Sequence, residues 1–565
     1  MSIRTLAVVL CGLMLCLPVG LNAQEKPEPP RRSAVVPAAE PDTVSQDSAP
    51  TITLPEFEIT GEENINLGVD SKAAVDDSWN LRSSTIEGNS GEKGDLVPLG
   101  TSEMAGLPVG RTGLTGQTIV SMGSFQTPAM NLWLGVTSPS TSLLLRSSYT
   151  SSAGHVDHSD YRDGSASISG TSHVGRRTFL PGNATIGGKF GFSGAAYRLY
   201  GSSTPDLQRT INRVQGVASV DAMLTNFNYE AGLFFNGTSA TGLSGSSESE
   251  IGLRGSASKE IKKLKMKGTL DLWTDQYSSP TTTQNPYLAG LLLDVRYDLT
   301  RRFQVNGGMG LYSLQGSVDN AEVRFFPVAG VVWKTTDRIN LSARYAPFIE
   351  RSSLSWLLQQ NPYLDSDVQV KHPDYHTNLE VAADVEASAK VSGRVAFKYQ
   401  RADNVPIFAE QTEGVPPNVI PAGMWGIDYS GTTRIFGLDA KVSTNLTSAS
   451  FALFSFAWRS AKNSTTDRSI AYSPEVQATA VYRHTFAFGV ILQTDLNVYG
   501  PQFADSNEGS VLQGYALWDV KGEYEVLPLF VVGLGVQNIL DQSYERWRGY
   551  VGIPRTAMLF GRYSW

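Results

Sequence analysis

The chain has 565 residues, a formal net charge of −8 and only 18% charged residues. That acidic balance argues against a nucleic-acid binder, which needs a basic face. Both cysteines, Cys11 and Cys16, lie in the first 23 residues, so the chain beyond them has no thiol for disulfides, Cys-ligated metals or nucleophilic catalysis. With 54 glycines, 10% aromatics and a mean hydropathy of −0.16, the composition suits strands that face lipid on one side and water on the other. A large soluble all-β protein would share it.

Residues 1–23 combine Arg4, an apolar run from Leu6 to Leu21 and a small residue at Ala23, the pattern of a secretory signal cut after Ala23. Beyond it there is no apolar run of about 18 residues, hence no expected membrane helix. Residues 24–111 read as a mostly disordered periplasmic extension. Its first part is rich in Pro, Ser and charge, and 62–110 is polar and Gly/Ser-rich with little to bury. Between them Thr51–Gly61 is extended, with apolar and polar residues alternating from Glu56 to Thr60. Such a peptide can add a strand to a partner's sheet edge, or be a linker with no partner.

From residue 112 the expectation is a membrane barrel. Ile339, Leu341, Ala343 and Tyr345 interleave with Arg338, Asn340, Ser342 and Arg344. Val395, Phe397 and Tyr399 interleave with Arg394, Ala396 and Lys398, and Trp518–Val526 alternates in the same way. So many polar faces need a wide, wet lumen to solvate them. Tight connections are expected near Pro139, Gly194, Ala222, Glu260, Arg301, Asp337, Ala387, Thr447, His484 and Leu527. Longer polar loops are expected at Ser151–Gly182, Arg351–Pro373, Arg401–Tyr429, Gly500–Gln513 and Asp541–Arg555. With an opening strand near Thr115–Ser124 and a closing one at Thr556–Trp565, the count is about 22 strands, and both termini fall in the periplasm. The fold class expected is therefore all-β: a large transmembrane antiparallel β-barrel behind a disordered extension. In the closing strand Trp565, Tyr563, Leu559 and Ala557 form one face, and Arg562, Phe560 and Thr556 the other.

Three stretches carry a family resemblance. The closing strand, ending on Tyr563 and Trp565, resembles the signature by which outer-membrane proteins are recognised by the barrel-assembly machinery. Gly535-Val536-Gln537-Asn538-Ile539-Leu540-Asp541, then Tyr544 and Pro554-Arg555, resembles the end of TonB-dependent receptors. Leu54-Pro55-Glu56-Phe57-Glu58-Ile59-Thr60 resembles the TonB box of that family. The resemblance implies passage of a solute through a barrel of about 22 strands in the bacterial outer membrane. It also implies contact with outer-membrane lipid and lipopolysaccharide, and TonB or another periplasmic protein on the box-like segment. The chain departs from the pattern in one place: the span from Glu62 to Thr112 is too short and too polar for the family's plug domain. That leaves a second reading, a plugless structural or assembly barrel whose extension docks a cell-envelope partner.

No catalytic, cofactor or metal site is expected. His155 and His158 with Asp157 and Asp160, and His372 and His376 with Asp374, have ligand chemistry but read as solvated loop groups. His376 and His484 fall on strands with no evident serine or acid partner in sequence. Lys259–Lys267 is the densest charge cluster, at a tight turn, and reads as solvated rim charge or a seat for anionic headgroups or a partner. Trp133, Trp273, Trp333, Trp458, Trp518, Trp565, Tyr200, Tyr312 and Tyr499 are expected in the interfacial girdles. Asn285–Leu288 and Asn361–Leu364 are expected to start strands.

Overall fold

The computed structural model describes residues 113–174, 183–224, 227–242, 245–281, 283–316, 321–410, 422–429 and 431–565. The expected signal, the extension and the segment Leu54–Thr60 lie outside the described residues.

A closed, antiparallel barrel of 22 strands accounts for most of the described chain. Closure is direct: Gly113–Gly123 pairs with Thr127–Thr137 on one side and with the last strand, Thr556–Ser564, on the other, from Gln117↔Ser564 to Gly123↔Met558. The last strand is held on its far side by Phe530–Gln537. Among the described strands the barrel sheet has no open edge, which is the condition for spanning a bilayer with strands.

The alternation in sequence is the alternation in space. Phe397 is 60% exposed on the outside, while its neighbours Ala396 and Lys398 are buried in the wall of the lumen. Leu559 and Tyr563 face outward and Phe560 inward. Val120, Phe192, Leu233, Ile251, Leu291, Leu311 and Phe325 continue the outward apolar band around the circumference. Inside, charges pair across the wall. Arg394 meets Asp384 at 3.0 Å, Lys398 meets Glu380 at 3.2 Å, and Arg562 meets Glu523 at 2.8 Å.

The expected turns fall where the chain reverses in all but one place. Gly194 lies inside the strand Asn183–Arg198, and the expected loop Ser151–Gly182 contains a 14-residue strand, Tyr161–Val174. The reason is composition. That strand is mostly Ser, Gly, Ala and Thr, so hydropathy shows no period. It is held by its backbone ladder to Thr141–Ser152 and by hydroxyl pairs, Ser148 with Ser165 and Ser142 with Thr171, each at 2.7 Å.

The connections define two different rims. On the turn rim, 138–140, 262–263, 299–302, 337–338, 389–390, 448–449, 486–489 and 528–529 are two to four residues long. On the loop rim lie 199–207, 346–373, 404–432, 464–475, 500–514 and 538–555.

Candidate functional site: a loop cap over the lumen

Much of the described length of the long loops is withdrawn from solvent. Six of them collapse into the largest apolar cluster of the described protein. Leu199, Leu354, Trp356, Leu357, Leu358, Tyr363, Leu364, Phe408, Met424, Trp425, Ala471, Tyr472, Ala504, Leu512, Trp547 and Tyr550 are all buried there. Trp425 sits at its centre, fully buried. Its ring lies 5.1 Å from that of Trp547, and 5.7 Å from those of Tyr472 and Tyr550. Tyr363 stacks on Tyr550 at 3.5 Å. Burial raises the pKa of the Tyr472 and Tyr550 phenols well above the ordinary range, so both stay neutral.

The segment 346–373 carries the cap into the barrel. Its helix, Leu354–Gln360, starts at Ser353, whose side chain accepts from the Trp356 amide at 3.2 Å. The first-turn amides that the helix itself cannot pair find an acceptor on the barrel wall: Leu354 and Ser355 donate to the carboxylate of Glu248. Just before the helix, Arg351 pairs with Glu250 at 3.2 Å and lies 3.8 Å over the Trp273 ring. Glu250 also accepts from Asn236 at 2.6 Å, and Asp275 stands beside Glu248 and Glu250. Glu250 is four residues below Ser246 and Trp273 five below Ser278, so these contacts lie about 13–17 Å along the strands from the rim.

After the helix the chain is hung from the wall by its carbonyls. Arg209, fully buried, donates to the carbonyls of Pro362 (3.1 Å) and Leu364, and the Tyr197 hydroxyl donates to Pro362 at 2.6 Å. Ser246 and Tyr277 donate to the Ser366 carbonyl, and Tyr277 accepts from the Val368 amide at 3.1 Å. Irregular backbone at this depth is tolerated because wall side chains satisfy its polar groups.

His372 closes the segment. It is buried and accepts from the Ser352 amide through Nδ1 at 3.2 Å. Burial first, and the adjacent Arg351 second, lower its pKa from 6.5 to about 4. A histidine depressed in the folded state stabilises the cap fully above pH 6.5 and loses that contribution as pH falls through 4. The loss is on the order of 3 kcal/mol. Amide hydrogen exchange of 346–373 should therefore accelerate between pH 6.5 and 4, once corrected for intrinsic rates, and H372Q should flatten that dependence.

The candidate ligand sets come apart. Asp374 is engaged by Arg324 at 2.9 Å, and His376 faces Asp403 at 3.7 Å. His155 is buried against Ser159, and burial lowers its pKa to about 2, whereas His158 pairs with Asp206 at 2.8 Å. His484 does have a serine partner, Ser450 at 2.7 Å across the sheet, which the sequence order concealed. The girdle reading holds for Trp333, Trp458, Trp518 and Trp565, which are exposed on the outside. It fails for five others. Trp133 packs on inward Leu144, and Trp273 and Tyr312 join an inward apolar cluster. Tyr499 packs against buried Tyr515, with ring centroids 4.9 Å apart, and Tyr200 belongs to the cap. Period two says which residues share a face, but not whether an aromatic on that face meets lipid or a loop. Asn361–Leu364 starts no strand; Asn361 caps the helix and the rest joins the cap.

The comparisons with known proteins agree with this architecture. A family described as "TonB dependent receptor-like, beta-barrel" matches residues 61–539. The fold is similar to the copper transporter OprC, at 14% identity over 81% of each chain with a TM-score of 0.63. It is also similar to the FrpB iron transporter from Neisseria meningitidis (F3-3 variant), at 10% identity over 82% of this chain and 83% of that one, TM-score 0.63. The siderophore receptor PiuA from Acinetobacter baumannii matches at 9% identity over 81% and 82%, also with a TM-score of 0.63. These are transporters and a receptor, not enzymes. With a closed 22-strand barrel and a family match across most of its length, the chain belongs to the TonB-dependent receptor-like β-barrel family.

Proposed function

We propose that this protein takes up a solute across the outer membrane through its barrel, with the loop cap as the barrier that must open. The observation that carries this reading is the segment 346–373, seated inside the lumen and held by wall residues of strands in which the rest of the barrel is wet and charged. In this reading the loops face outward, lipopolysaccharide surrounds them, and both termini are periplasmic. Tyr563 and Trp565 are the assembly signal. Residues 24–111 are a short tail in place of a full plug, and Leu54, Pro55, Glu56, Phe57, Glu58, Ile59 and Thr60 form the strand that TonB engages. The structural relatives include a copper transporter, an iron transporter and a siderophore receptor, so metal chelates are the first cargo class to screen.

The test of energy coupling needs no cargo. The chain carries no cysteine after Cys16, so F57C introduces a single thiol beyond the expected signal. In cells it should form a disulfide with a cysteine placed in the strand-accepting edge of TonB, and a thiol at Glu28 (E28C) should not. Equal crosslinking from both positions, or none from either, would overturn the assignment of the segment.

A further inference from the structure

The described turns of the turn rim are divided by charge. Among the described turns, every charged residue falls in four that are consecutive around the barrel: Lys262 and Lys263, Arg301 and Arg302, Asp337 and Arg338, and Lys390. Lys259 adds an outward cation beside the first of them. These turns join eight adjacent strands, so the arc is about 30 Å long at normal strand spacing. All seven cations are exposed, and Asp337 is the one acid within the turns. Two strand acids near the arc are engaged, Glu260 with Lys265 at 3.7 Å and Asp298 with Gln304 at 2.7 Å, and a third, Glu386, is exposed three residues before the fourth turn. The turns 138–140, 448–449, 486–489 and 528–529 carry no charge, and Phe488, Leu527 and Leu529 are exposed on that side.

A second observation fixes the depth of the arc. Immediately within it, outward Tyr297, Phe303 and Trp333 are exposed, with Phe303 directly opposite Trp333. Aromatic residues on the lipid face mark the interface between hydrocarbon and headgroups. Arg301, Arg302 and Arg338 follow one to five residues further along the same strands and turns, which is headgroup level, and Lys262 and Lys263 stand beside Leu264, the partner of Tyr297 on the neighbouring strand.

We propose that this arc is a binding surface for anionic phospholipid headgroups in the leaflet on the turn side of the barrel. The phosphates lie against Lys262, Lys263, Arg301 and Arg302, and the acyl chains run along the apolar wall beyond Phe303 and Trp333. Lys and Arg supply the attraction, and the four-turn spread lets several lipids be held at once. The uncharged side of the rim gives the barrel a preferred lateral orientation among anionic lipids.

The test uses the whole mature chain reconstituted in phosphatidylcholine bilayers, with spin-labelled phosphatidylglycerol or spin-labelled phosphatidylcholine as probe. Electron spin resonance then reads the lipid fraction immobilised at the barrel. The wild type should favour phosphatidylglycerol by about fivefold or more at low salt, the worth of one basic residue at an anionic surface, and the preference should shrink in high salt. The variant K262Q/K263Q/R301Q/R302Q should fall to nearly equal association, with heat-modifiable gel migration reporting an intact barrel. K262E/K263E changes one turn only and should also lower the preference. A wild type without headgroup preference, as expected if the arc serves an acidic protein, would overturn the proposal. So would a preference that survives in both variants.

Discussion

Replacing Trp425 by alanine should release the loop cap while leaving the barrel closed. The indole is fully buried, and its neighbours Tyr363, Tyr472, Trp547 and Tyr550 come from three other loops. Truncating a buried Trp costs about 3–5 kcal/mol, because transfer energy and a cavity add. Here the cost falls on loop docking, since no barrel strand depends on Trp425 for its pairing. Exchange of amides in 346–373 should speed up by roughly two to three orders of magnitude, with strand amides unchanged. In planar bilayers, a chain lacking residues 24–111 and carrying W425A should show larger conductance steps than the same truncation with Trp425 intact. Equal conductance in the two forms would mean that the cap is not the barrier on the loop side.

Removing Arg351 alone should do more damage than removing Arg351 and Glu250 together. Arg351 is in ion-pair contact with Glu250, which is buried next to Glu248 and Asp275. R351M leaves that carboxylate buried without its ion pair, at a cost of about 3–5 kcal/mol. It also loses the stacking on Trp273, worth about 1–2 kcal/mol when desolvated. The double variant R351M/E250M replaces the pair by apolar volume, and such replacements are often neutral. The loop amides should therefore exchange fastest in R351M, with the double variant closer to wild type. A double variant as loose as the single one would show that Arg351 acts through Trp273 rather than through charge.

Several features were open to reading from the residues alone. Strand number, closure and the outward face follow from local rules: period two, turn chemistry and an aromatic end at Trp565. Each barrel strand meets only its neighbours, so the pattern inside a strand carries nearly all the information about its placement. Where that pattern was blank, as in the Ser- and Gly-rich strand Tyr161–Val174, pairing partners decided the outcome instead.

The loop cap is of the other kind. Leu354, Trp356, Leu357 and Leu358 are visibly apolar in a stretch otherwise read as a polar loop. What they bury against is spread over more than 300 residues, from Leu199 to Tyr550. Glu248, Glu250, Arg351 and Trp273 likewise meet only because a closed barrel brings distant strands and one long loop into the same enclosed space. The sequence by itself determined the barrel, because strand pairing is local and its period is written in every segment. Only the tertiary structure decided that the lumen is capped, because non-local burial leaves no period to read.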